Sequence, residues 1–76
     1  MAERKVIDAR GTFCPGPLME LIAGIKLIDV GDELEVLSTD EGSAADIPQW
    51  VNKAGHQMVS TIEESGVWHV VVRRTK

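Results

Sequence analysis

The sequence predicts an α/β (α+β) two-layer sandwich of element order β-α-β-α-β-β, a four-stranded mixed sheet with two helices on one face. Three observations predict it. Residues 5–9, 33–38, 58–63 and 67–73 are short segments that are β-branched or alternate with a period of two. Between the first three of these lie two segments with apolar residues at helical spacing. All connections are short, and right-handed crossovers then put both helices on one side of the sheet.

The elements follow in order. Residues 5–9, KVIDA, ended by Arg10-Gly11, form a first strand and turn. From Leu18 the period changes: Leu18, Leu21, Ile22, Ile25 and Ile28 fall on one stripe, with Glu20 and Lys26 off it. That pattern gives an amphipathic helix over residues 15–28 whose stripe supplies half the core. Gly31-Asp32 punctuates, and residues 33–38 make a second strand with Leu34 and Val36 inward. After a polar turn, residues 44–54 carry Ile47, Trp50, Val51 and Ala54 at helical spacing. Pro48 lacks the N–H an interior position needs, so regular helix is expected to start near Asp46 or Ile47, with Asp46 as N-cap. Gly55 suits the left-handed residue after that helix. A hairpin around residues 64–66 closes the chain, and Ser60 or Thr61 with Glu63, His69 and Arg73 are available for the exposed sheet face. Trp50 and Trp68 occupy core-compatible positions.

Composition bounds the function. Seventy-six residues, 43% apolar and 26% charged, describe one folded domain, residues 1–76. A net charge of −4 argues against neutralising phosphates, so no direct nucleic-acid contact is expected. A single cysteine, Cys14, excludes an internal disulfide, a dithiol redox pair and a cysteine-rich zinc site. Cys14, His56 and His69 fit no standard ligand spacing, so no metal and no cofactor are expected. The N-terminus has no apolar signal region, and Glu20, Lys26 and Asp29 interrupt residues 18–30. A reducing, cytoplasmic protein without a membrane partner is the expectation.

The chemistry gathers at Phe13-Cys14-Pro15-Gly16-Pro17, where the first turn meets the first helix. A residue before proline is pushed to extended backbone, which suits Cys14 as N-cap, with Pro15 at the first helical position and Pro17 at the third. The Gly16 N–H is then free to face the sulfur, and the helix dipole adds positive potential. Such a thiol is expected below its free pKa of about 8.5. Gly16 also leaves the sulfur uncovered. Against this stands the plainer reading of Cys14 as a small buried hydrophobe. Phe13 and Met19 lie off the apolar stripe and form either a docking rim around Cys14 or partial packing on the sheet. His56, after the second helix, is placed where the dipole favours its protonated form, and His69 is a solvent-facing strand residue. Arg73, Arg74 and Lys76 with Arg4, Lys5 and Arg10 could form a basic patch for an acidic partner, or serve edge protection. Asp40, Glu41 and Asp46 read as turn and cap residues, with a role at Cys14 only if the second helix starts beside it.

At these residues the chain resembles the TusA (SirA-like, YhhP-like) sulfur-carrier family, marked by Cys-Pro-x-Pro at the head of the first helix. The resemblance spans nearly the whole chain: Asp8-Ala9-Arg10-Gly11, then Cys14-Pro15-Gly16-Pro17-Leu18-Met19, Gly31-Asp32, Asp46-Ile47-Pro48 and Gly55-His56. It implies a two-layer fold similar to the C-terminal domain of a bacterial translation initiation factor. It further implies that Cys14 carries sulfane sulfur as a persulfide, with Pro15, Gly16, Pro17 and Leu18 supporting it. Such a protein is a sulfurtransferase-type carrier rather than a stand-alone enzyme. Its implied partners are sulfur-donor and sulfur-acceptor proteins of cysteine desulfurase, rhodanese or DsrE type, met by a monomer. Transfer RNA thiolation, molybdenum-cofactor supply and sulfur oxidation are the pathways the family serves. The variable motif position, often Glu, is Gly16 here, which removes a negative charge beside the sulfur and bears on donor choice. The rival reading keeps the fold without a reactive sulfur, as a regulatory or protein-interaction module.

Overall fold

A computed structural model describes residues 4–76. The elements are β1 (Arg4–Asp8), α1 (Gly16–Ile25), β2 (Glu33–Ser38), α2 (Glu41–Ala54), β3 (Gln57–Glu64) and β4 (Val67–Arg73). The strands form one sheet of order β1-β2-β4-β3. β1 runs parallel to β2, and the other two pairings are antiparallel. A parallel pair cannot be joined by a tight turn, so α1 serves as the crossover between β1 and β2. Ser65 and Gly66, at φ 50° and 80°, make the two-residue hairpin between β3 and β4.

Period-two alternation sorts the sheet faces as expected. Leu34 and Val36 pair with Val72 and Val70, and all four are fully buried. Leu21 and Ile25 of α1 and Ile47 and Val51 of α2 join that same cluster, so both helices cover one face. Trp50 and Trp68 are half-buried against the core. The opposite face is open. Ser60, His69 and Arg73 lie on it, but Glu63 and Thr61 fall on the helix side, opposite Trp68 and Val70. The cause is a bulge between Met58 and Ser60, which shifts the alternation by one residue.

Both helix starts differ from the sequence expectation. α1 begins one residue late because the Pro15 carbonyl accepts the first helical bond, from Met19 N–H at 2.9 Å, which makes Pro15 the N-cap and leaves Cys14 outside the helix. The Cys14–Pro15 peptide is cis. α1 also ends at Ile25 rather than residue 28, since the Leu27 N–H turns tightly onto the Gly24 carbonyl at 3.0 Å. Ile28 still reaches the core, and its carbonyl accepts from Arg74 Nη1 at 2.6 Å.

α2 starts at Glu41, five residues before Asp46, with Asp40 as N-cap. An interior proline costs about 3 kcal/mol, and Pro48 sits inside this helix. Two gains offset it. Asp40 takes the Ser43 N–H at 3.0 Å, and the added turns bury Ser43 and Ala44. Gly55 is left-handed at φ 84°, as expected of the residue after the helix. Among the described residues no helix is long and apolar enough to cross a membrane.

Candidate functional site

The loop between β1 and α1 is pinned to the sheet before it reaches the cysteine. The Ala9 N–H donates to the Leu37 carbonyl at 2.9 Å, prolonging the β1–β2 ladder by one residue. Gly11, at φ 82°, turns the chain and donates its N–H to Thr39 Oγ1 at 3.0 Å. Thr12 Oγ1 donates back to the Ala9 carbonyl at 2.7 Å. The loop is therefore tied to both ends of the β2 to α2 connection, which brings Cys14 to the start of α2.

Two carboxylates of α2 and its cap receive it. Asp40 Oδ2 accepts the Cys14 backbone N–H at 3.0 Å, along with the Ser43 N–H at 3.0 Å and the Ser43 hydroxyl at 2.8 Å. Those donors, the Ser43 hydroxyl foremost, hold the Asp40 carboxyl below its ordinary pKa. The Cys14 thiol donates to Asp46 Oδ2 at 3.1 Å. Asp46 reaches it because α2 begins early: as the N-cap of a later helix it would belong to a turn.

The sulfur is exposed, which sets aside the buried-hydrophobe reading. Its acidity is the reverse of the sequence expectation. The hydrogen bond to Asp46, then desolvation and the charges of Asp46 and Asp40, push the Cys14 thiol up, and the Ser43 hydroxyl opposes them only in part. The expected stabilising donor is also missing, because the Gly16 N–H closes onto the Phe13 carbonyl at 2.6 Å. Gly16 has a steric neighbour of its own: a Cβ there would lie 3.1 Å from Thr12 Oγ1.

Around the sulfur, Pro17 is buried and Leu18 packs against the core, so they anchor the first turn, while Pro15 is exposed. Phe13 and Met19 are 79% and 59% exposed, which removes the alternative of packing on the sheet. The histidines do not join them. His56 Nδ1 accepts the Thr75 N–H at 3.2 Å, and burial, followed by the charges of Arg74 and Lys76, lowers its pKa, against the dipole argument. His69 lies half-buried on the open sheet face, its Nδ1 3.1 Å from Glu35 Oε2.

Three of the arginines grouped as a basic patch are engaged by acidic neighbours. Arg4 and Arg73 both pair with Glu33 at 2.8 Å, and Arg10 pairs with Asp8 at 2.8 Å. Among the described residues no three His, Cys, Asp or Glu side chains converge as a metal site would require. Asp40 and Asp46, expected to bear on Cys14 only if the second helix starts beside it, meet that condition, and what sequence reasoning missed is the early start of α2. The available signal was Asp40-x-x-Ser43, a capping pattern that fixes the earlier helix start.

Comparison with known proteins identifies the family and the fold. The family model for sulfurtransferase TusA matches residues 5–74. A relative from Archaeoglobus fulgidus, bearing a provisional sulfur-carrier name, is 55% identical over 71 residues, covering 93% of this chain and 97% of its own. The sulfur carrier protein TusA of Pseudomonas putida strain W619 is 33% identical over 69 residues, covering 91% and 86%. A SirA-like protein of Desulfitobacterium hafniense shares the fold, with a TM-score of 0.82 at 22% identity over 97% of this chain and 100% of that one. The family model and the relatives cover nearly the whole chain, and the protein belongs to the TusA sulfurtransferase family.

Proposed function

We propose that this protein is a sulfur carrier in which Cys14 takes up sulfane sulfur as a persulfide and hands it to a partner protein. The observation that carries the proposal is the exposed thiol of Cys14, the chain's one cysteine, at the head of α1 in a member of the TusA family. Relatives named as sulfur carriers support it. A donor's outer sulfur is attacked by Cys14 Sγ, the donor's S–S bond breaks, and the proton from Cys14 ends on the donor's sulfur. With no second thiol in the chain, the new persulfide is not resolved into an internal disulfide.

Phe13 and Met19, exposed and close to Cys14 in sequence, supply apolar surface for docking donor and acceptor proteins. Pro15, Gly16, Pro17 and Leu18 hold the turn that presents it. The carrier works in the cytoplasm as a monomer, so that one cysteine faces successive partners. Intact mass after exposure to inorganic polysulfide tests the reading. Wild type is expected to gain one sulfur, reversibly with reductant, and Cys14→Ser none; a wild type that gains none overturns it.

A further inference from the structure

Loading changes what Cys14 offers to Asp46. In the empty protein Sγ carries a proton and donates it to the Asp46 carboxylate at 3.1 Å, and hydrogen bonds to ionised acceptors are stronger than neutral ones. In a persulfide, Sγ is bonded to Cβ and to the outer sulfur and has no proton to donate. That contact is necessarily lost. The outer sulfur is also a stronger acid than the thiol, because its negative charge is shared over two polarisable sulfurs.

The loaded side chain therefore brings an anion to a place that two carboxylates already face. Asp46 comes from α2 and Asp40 from its cap, and the Ser43 hydroxyl is the one α2 group acting in the opposite direction. The first turn of α1 has no acidic residue, and the loop residues Thr12 and Phe13 are uncharged. Among the described residues, the charged groups that bear on the sulfur, Asp46 and Asp40, are both negative and sit on the α2 side.

We propose that Asp46 sets the sulfur-transfer potential of Cys14: it stabilises the empty thiol and disfavours the anionic persulfide, so the protein holds its sulfur loosely and releases it outward. This rests on the carrier reading. The transfer balances without any redox partner. The outer sulfur takes a proton from solvent, an acceptor thiolate bonds to it, the bond from Cys14 Sγ to that sulfur breaks with its electron pair leaving on Sγ, and Sγ takes up a second proton from solvent and returns to Asp46.

The test uses the protein as its own acceptor. Wild type loaded with inorganic polysulfide is freed of excess reagent and mixed with empty Asp46→Asn, and in a second experiment with empty Asp46→Ala. Intact mass reads loaded and empty forms of each protein at equilibrium. Sulfur is expected to move onto both variants with an equilibrium constant of about 3, the scale of one exposed charge interaction. A merely structural role for Asp46 would not move this partition. A constant near one, or favouring wild type, overturns the role of Asp46 and leaves the carrier reading standing, since wild type was seen to load. Wild type that never loads overturns the carrier reading and this inference together.

Discussion

Asp40 Oδ2 lies 3.0 Å from the backbone nitrogen of Cys14, and the same oxygen caps α2 through Ser43. One carboxylate thus closes a helix and holds the cysteine loop, so stability and site geometry are coupled at Asp40. Asp40→Ala removes an N-cap acceptor and the loop tether together, and Tm is expected to fall by about 5 °C. Asp40→Asn keeps an acceptor oxygen and should fall less. Thermal unfolding of the two variants beside wild type checks the order, and equal losses would mean that the tether contributes through charge alone.

Acid should destabilise the protein through these same anions. Asp40 is held down by its Ser43 and Cys14 donors, Glu33 by the Arg4 and Arg73 guanidiniums, and Asp8 to about 2 by Arg10. Each folded pKa lies below its unfolded value, so the unfolded chain binds more protons as pH falls. The stabilisation is whole above the unfolded carboxylate values near pH 4 and is lost as pH drops through the folded ones. Tm measured from pH 7 to pH 2 should fall most steeply below about pH 4. Asp8 is exposed, Glu33 and Asp40 are only partly buried, and salt screens the ion pairs of Asp8 and Glu33, so the fall is expected to be shallow. Asp40→Ala should flatten part of it, and a Tm that rises on acidification would contradict the assignment.

The core rests on few side chains. Leu34 of β2 and Ile47 of α2 are fully buried in the cluster that joins the sheet to both helices. Truncating either to alanine is expected to cost about 2–5 kcal/mol, a large part of the stability available to a domain this small. Urea unfolding should show a lower midpoint for each, and unchanged midpoints would place these residues outside the core.

The strands and the helix stripes were legible because burial imposes a period, and Leu34, Val36, Leu21 and Val51 obey it. The motif at Cys14 was legible for the same local reason, since two prolines stiffen one turn. Three of the departures have distinct physical causes. The start of α2 was misplaced because Pro48 is a strong local signal, whereas the Asp40 cap gains part of its weight from Cys14, distant in sequence. Glu63 changed sides through a bulge that alternation alone does not mark. The acidity of Cys14 reversed because the first-turn argument treats α1 as isolated, while Asp46 arrives from another helix across the site.

That reversal makes the resting thiol slow. With Asp46 favouring the protonated form, the thiolate fraction of Cys14 at pH 7 should be smaller than that of an unstructured peptide cysteine. Iodoacetamide alkylation followed from pH 6 to pH 10 should therefore titrate with a midpoint above the ordinary thiol value. Asp46→Asn removes the charge and leaves only a neutral amide oxygen to accept from the thiol, so its midpoint should move down and its rate at pH 7 rise by about threefold or more. Asp40→Asn, whose effect on the sulfur is through charge alone, should move the midpoint the same way by less. Coincident titration curves for wild type and Asp46→Asn would show that the 3.1 Å contact does not govern the sulfur. A midpoint for wild type below that of the free peptide would return the first turn of α1 to the role of activator.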